Sequence, residues 1–261
     1  MSSSETGMAL TEHLRELRKR LMISVAAVAA GFLVSYYYSE TLYKVLARPL
    51  LNALTPGQEY LVFTGVVEPF FIYMKVGFAG GMILASPVIL YEIWAFVAPG
   101  LYSHEKYWFI SIVISSLFLF AAGTLFAYMV VFPFGFKYLL SYSSQEIKPL
   151  LSMSEYFSMV TKLLLAFGVV FQLPLGILVL ARLGIVTARQ LLSWWRYAIV
   201  LILLVAAILT PTPDIFNQLL MAGPLMALYA LGIVVAKLFG KKKAVEEPEE
   251  ELEAEDDGFE G

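Results

Sequence analysis

Glu16 and Glu105 are the residues of this chain best placed to hold a ligand. Glu105 closes the stretch SPVILYEIWAFVAPGLYSHE, which ends one long apolar span and leads into the next. Pro87 lies inside that run, Pro99-Gly100 break the helix, and Ser-His-Glu-Lys follows at once. Glu16 sits in TEHLRELRKRL, just ahead of the first apolar span. If both segments face one compartment, the chain presents two fixed negative charges at one membrane surface. A ligand with two positive charges fits such a receptor. Local pairing competes with this reading. On a helix Glu16 can pair with Lys19 at i+3 or Arg20 at i+4. Ser103 can cap the following helix, leaving Glu105 in its first turn, where an acid complements the dipole.

The elements that carry these residues belong to a membrane. Of 261 residues 59% are hydrophobic and 15% charged, and the mean hydropathy is +0.76, far from the balance of a soluble domain. Six apolar spans are expected: Leu21–Tyr38, Phe70–Val97, Tyr107–Phe132, Tyr156–Leu180, Tyr197–Leu209 and Ile215–Ala236. All are expected to be helical, because a helix satisfies its own backbone hydrogen bonds in lipid. The fold class is therefore an all-α polytopic membrane protein. Pro69, Pro99, Pro149 and Pro211 mark span ends, whereas Pro87, Pro133, Pro174 and Pro224 predict kinks. The fifth span is short, roughly 20 Å of helix against a hydrocarbon core of about 30 Å. The mismatch calls for thinning, snorkelling or a partner helix. In the first outward loop, TLYKVLARPLLNAL predicts an interfacial amphipathic helix stopped by Pro56-Gly57.

Orientation follows from Lys and Arg. Twelve lie in the N-terminus, the second and fourth loops and the C-terminus, against four in the other loops. This puts both termini in the cytoplasm and Glu16 and Glu105 on one side. Residues 1–20 form an N-terminal cytoplasmic segment, 21–236 the transmembrane domain and 237–261 a basic, then acidic, tail. Ten of the 21 acids follow Val245, so the net charge of −3 hides a body of +7. The tail has little to bury and is expected to be disordered. Tyr36-Tyr37-Tyr38 and Trp194-Trp195 fit interfacial anchors.

Other chemistry is sparse. There is no cysteine, and the two histidines, His13 and His104, are far apart, so neither a thiolate nucleophile nor a metal site is expected. No P-loop, His-Glu-x-x-His or Gly-x-Ser-x-Gly motif occurs, which argues against ATP binding and hydrolase chemistry. No cofactor is implied. Gln172, deep in the fourth span, needs a buried partner and serves either as helix–helix glue or as a functional polar site. Lys75 and Lys162 lie near the outer ends of their spans and can snorkel. Asp214 can cap the sixth helix. A secondary transporter for small solutes and an intramembrane enzyme are the alternatives. The first is lowered by the expectation that no buried acid lies in the core, the second by the missing motifs.

HLRELRKRL, SPVILYEIWAFVAPGLYSHE, AFGVVFQLPLG and LTPTPDIFNQ, in that order, resemble the TatC family of twin-arginine translocase subunits over about Leu10 to Phe239. The resemblance implies a six-helix, concave, glove-like bundle with short fifth and sixth helices, in the cell inner (plasma) membrane. It implies a receptor for signal peptides bearing two adjacent arginines. This receptor would work with TatA- and TatB-type single-span partners, with copies of itself and with membrane lipids, but not with nucleic acid. Folded proteins are exported, driven by the proton-motive force. The acidic recognition positions fall on Glu16 and Glu105, and the helix-end aromatic beside them on Phe96. His104 and Arg18 join this signal-peptide group, the basic neighbours facing lipid headgroups. The outer-loop proline falls on Pro49. The intramembrane polar position falls on Gln172, where many members carry Glu. The partner-helix patch falls on Thr210 and Gln218, with Asp214 beside them, although TPTPD is one residue longer than the TPPD of some relatives.

Overall fold

The computed structural model describes residues 3–54, 60–63, 65–97, 106–143, 150–210 and 214–240, the side chains of 3–11 and 106 excepted. Glu105, His104, Ser103, Pro99-Gly100, Pro56-Gly57, Pro211 and the acidic tail lie outside the described residues. The rest is helical, with one isolated parallel bridge, Val62 to Ser152, among the described residues. Five stretches are long and apolar enough to cross a membrane: Glu12–Tyr37, Glu68–Val97, Tyr107–Leu140, Met153–Arg182 and Ile215–Phe239. Trp195–Leu209, where the fifth span is expected, is a shorter apolar helix.

Helix α1, Ser3–Tyr37, runs without a break from the charged N-terminal segment into the first span. The chain turns at Tyr38 into α2, Ser39–Leu51, the amphipathic helix foreseen in the first outer loop. Its Leu46, Ala47, Pro49 and Leu50 are buried. Pro49 has no N–H, so the carbonyl of Val45, four residues earlier, loses its helical donor. The Tyr128 hydroxyl donates to that carbonyl at 2.8 Å, and the Tyr156 hydroxyl donates to the neighbouring Leu46 carbonyl at 2.7 Å. Two tyrosines from the third and fourth spans thereby anchor the outer helix. At its other end, Lys44 Nζ donates to Glu40 at 2.6 Å, which holds the Glu40 carboxyl below its usual range.

Helix α3, Glu68–Val97, continues through Pro87 as one element, as α10, Ile215–Phe239, continues through Pro224. Neither proline divides its helix, in contrast to the two other internal prolines. The third span is α4, Lys106–Phe126, a π-helical turn at Ala127–Val131, and α5, Phe132–Leu140. The π turn accommodates the missing donor of Pro133 and lets the helix run beyond its expected end at Phe132. The fourth span breaks at Phe171–Gln172, between α6, Met153–Val170, and α7, Leu173–Arg182, where Pro174 starts the new segment. A capping box of Thr187 and Gln190 opens α8, Ala188–Ser193, and α9 spans Trp195–Leu209. Asp214 caps α10 as expected, its carboxylate accepting from the Asn217 amide at 2.7 Å. The sixth helix is not short, contrary to what the resemblance implied: its 25 residues make about 37 Å, in line with the apolar run Ile215–Ala236 read from the sequence.

The main core joins α2, α3, α5, α6, α9 and α10 around Phe132, Phe157, Phe167, Ile72, Val76 and Val160, all essentially inaccessible. Between the segments that precede α3 and α6, Val62 N–H donates to Leu151 and Met153 N–H to Val62, both at 2.9 Å, and Glu68 accepts from the Ser154 amide at 2.9 Å. Helix α1 stands at the edge, packed chiefly on α3. The two backbones meet at glycine. A Cβ on Gly81 would lie 2.6 Å from Phe32 N, and one on Gly31 would lie 2.6 Å from the Gly81 carbonyl oxygen. Small residues of this kind let membrane helices approach closely.

Gly81→Ala is expected to push α1 from α3 and destabilise the protein by about 1–3 kcal/mol, read as a lower thermal midpoint in detergent. Tyr128→Phe should cost about 1 kcal/mol by leaving the Val45 carbonyl without its donor. Pro49→Ala, which restores a helical N–H, should shrink that cost; equal losses in both backgrounds would show that the hydroxyl does not serve this carbonyl.

Candidate functional site

The polar residues near the N-terminal end of α1 face the C-terminal end of α3, because the two helices run antiparallel. His13, Glu16 and Arg20 recur at spacings of three and four and so share one face of α1. Glu92 and Phe96 share a face of α3 by the same rule. The rings of His13 and Phe96 stack, with centroids 4.4 Å apart and planes at 23°. Arg20 reaches both acids. Its Nε and Nη2 donate to one Glu16 oxygen, Oε1, at 3.1 and 2.6 Å, and its Nη1 donates to Glu92 Oε2 at 2.9 Å. Side-chain exposure is 23% for Arg20, 39% for Glu16 and 11% for Glu92. Glu92 thus sits inside the packing, Arg20 bridges, and Glu16 opens outward.

This geometry selects one reading of the sequence, the local pairing of Glu16, and overturns another. Glu16 is not an uncommitted carboxylate: the local i,i+4 partner Arg20 already holds it. Arg18 and Lys19 form no ion pair among the described residues and stay exposed. A buried acid does exist, contrary to expectation. Glu92 was hidden in the apolar run Phe70–Val97, and the signal for it was its position: an ionisable residue inside a span needs a named partner. The partner is Arg20, seventy-two residues earlier. Phe96 lies beside Glu92 as a helix-end aromatic, but the residue stacked on it is His13. His104 and Glu105 fall outside the described residues.

Gln172 lies away from this cluster. Its Nε2 donates to the Ser116 carbonyl at 2.9 Å, while Ser116 Oγ donates to its Oε1 at 2.6 Å. This reciprocal pair ties the α6–α7 break to α4 and matches the helix–helix glue reading. One edge of Gln172 also lines an apolar cavity of about 270 Å³ between α3, α4 and α6, with Ser86, Trp94 and Phe120. The Trp94 indole N–H is buried without a hydrogen-bond partner among the described residues.

The residues of the α9–α10 patch bond mainly to their own hairpin. Thr210 Oγ1 donates to the Ala206 carbonyl at 2.7 Å and Gln218 Nε2 to the Leu203 carbonyl at 3.1 Å. Asp214 also accepts from Asn217 Nδ2 at 2.9 Å. Pro49 is buried in α2, far from Glu16 along the chain. Lys75 Nζ donates to Ser158 Oγ at 2.8 Å. Among the described residues, no group of three or more His, Asp or Glu could hold a metal.

Comparison with known proteins places these features. Residues 12–224 match the family profile of the Sec-independent protein translocase protein TatC. The TatC of Desulforapulum autotrophicum is 46% identical over 249 residues, covering 95% of this chain and 92% of its own length. That of Escherichia coli is 37% identical over 246 residues, covering 94% and 95%. A crystal structure described as the twin arginine translocase receptor TatC superposes with a TM-score of 0.78 at 42% identity, covering 87% of this chain and 98% of the other. The family match runs from Glu12, at the start of the first apolar stretch, into α10 and includes the Glu16, Arg20 and Glu92 cluster, so this chain belongs to the TatC family of Sec-independent protein translocase proteins.

Proposed function

We propose that this chain is the receptor subunit of its translocase and binds twin-arginine signal peptides on the α1–α3 face around Glu16. The observation that carries this reading is the guanidinium already seated there. Arg20 places two donors on Glu16 Oε1, so the face has the charge and geometry that an arginine of a peptide needs. Glu105 is assigned the second arginine, with Phe96 and His104 beside it and Arg18 toward the lipid headgroups. The asymmetry of Lys and Arg supports a cytoplasmic position for this face and for both termini, in the plasma membrane.

As a member of a translocase family, the chain is a multi-pass membrane protein that transports protein and is not an enzyme. Membership also implies further subunits of the Tat system. We assign to TatA- and TatB-type single-span helices the exposed side of the α9–α10 hairpin near Thr210, Asp214 and Gln218, and to other copies of the chain the outer surface around α2 and Pro49. The cargo is folded protein and the driving force is the proton-motive force.

The receptor reading is tested by binding of the full chain in nanodiscs to a signal peptide with Arg-Arg and to its Lys-Lys twin. A preference of about tenfold or more for Arg-Arg is expected, and Glu16→Ala or Glu105→Gln should remove it while the thermal midpoint stays near wild type. Binding without preference would overturn the reading. Gln172→Leu breaks the bond to Ser116 deep in the bundle, so it should reduce export more than peptide binding. Equal loss of both would count against that division of labour.

A further inference from the structure

We propose that Arg20 is an internal competitor for the ligand's arginine, and that Glu92 is the carboxylate that keeps Arg20 when the ligand takes Glu16. This inference rests on the receptor reading above and adds two positioning residues to it.

The argument starts from the bridge. One guanidinium is shared between two acids on different helices, with three N–H bonds: two to Glu16 and one to Glu92. The acids are unequal. Glu92 is nearly enclosed, whereas Glu16 is more than a third exposed. A peptide arriving from solvent therefore meets Glu16 first, and a bond to Glu16 is the one most easily exchanged. A guanidinium presents five donors and a carboxylate about four acceptor positions. As an incoming arginine pairs with Glu16, Arg20 can swing its fork onto Glu92 without leaving a buried charge alone. Without Glu92, release of Glu16 would strand the Arg20 charge in a partly buried position, which costs far more than breaking a surface pair. The exchange leaves every charge paired: the entering guanidinium neutralises the surplus acid and no ion pair is left open.

A purely structural clamp between α1 and α3 makes a different prediction. In that case Arg20 and Glu92 only hold the helices, and losing either should weaken peptide binding or leave it unchanged. Competition predicts effects of opposite sign. Arg20→Gln should tighten binding of the Arg-Arg peptide by about three- to tenfold, because Glu16 no longer has to be vacated. Glu92→Gln should weaken binding by a similar factor, because Arg20 is then left to Glu16 alone. In the Arg20→Gln background the Glu92→Gln effect should vanish, since Glu92 acts through Arg20.

The measurement is equilibrium binding of the Arg-Arg and Lys-Lys peptides to the full chain and these variants in nanodiscs, with thermal midpoints recorded alongside. Tighter binding by Arg20→Gln and a vanishing Glu92 effect in the double variant are the results expected. No gain in a folded Arg20→Gln protein, or a Glu92→Gln loss that persists without Arg20, would overturn the proposal. If Arg20→Gln does not fold, Arg20→Lys decides. It keeps the charge but cannot bridge both acids as a fork, so a smaller gain in affinity is expected and no gain overturns. A wild-type preference for Arg-Arg with no gain in either Arg20 variant sinks the exchange alone. Absence of that preference in wild type and all variants sinks the receptor reading with it.

Discussion

The close contact between α1 and α3 is the constraint on which the described site depends. Helix α1 is largely exposed along its length and leans on one main neighbour. Van der Waals contact between backbones, allowed by Gly31 and Gly81, sets the distance between the two axes. That distance decides whether Arg20 can span from Glu16 to Glu92 and whether His13 can reach Phe96. The polar cluster is a consequence of apolar packing some ten residues further along both helices. A partly buried ion pair adds little net stability of its own, because desolvation cancels much of the attraction. It is the packing that keeps the charges together, and the charges that give the surface its chemistry.

Within the bundle a second rule operates. Backbone groups released by proline or by a helix break must find donors inside the protein, since lipid offers none. Tyr128 serves the carbonyl that Pro49 leaves open, and Gln172 and Ser116 satisfy each other where α6 gives way to α7. Thr124 and Thr161 return their hydroxyls to carbonyls three and four residues back. The threonine bonds stay within one turn of their own helices, whereas the Gln172–Ser116 pair joins the third span to the fourth. The broken helix at Gln172 can then border an open cavity without exposing unpaired backbone to lipid.

Hydropathy made the spans legible, because runs of twenty apolar residues have few other uses, and the amphipathic helix after Tyr38 could be read from its periodicity. Proline was a poorer guide. Pro87 and Pro224 pass through long helices, whereas Pro133 follows a π turn and Pro174 a break. The outcome depends on neighbouring side chains that no single segment contains. Glu16 was visible as a candidate and so was its bond to Arg20, since both follow from i,i+4 spacing. Glu92 was not, because its partner lies seventy-two residues away and only the antiparallel register of α1 and α3 joins them. Its presence in an apolar run was the available clue. The length of α10 was legible in its apolar run, Ile215–Ala236, and the short sixth helix came only from the family resemblance.

Specificity is a difference of affinities, and a site that already holds a guanidinium sets the comparison at a demanding level. A ligand lysine must displace the two-pronged contact of Arg20 with a single compact ammonium, which is more strongly hydrated and offers no matching fork. Under the proposed exchange a ligand arginine would replace like with like, and the desolvation it suffers would be matched by the partial release of Arg20 toward Glu92. Two bare carboxylates would attract any cation, lysine included, through a field that salt screens over about 10 Å. With Arg20 between them, Glu16 and Glu92 carry a net charge of only −1, and non-specific attraction falls accordingly. The preference expected of such a site would come from hydrogen-bond geometry rather than from charge, which is the property that separates arginine from lysine.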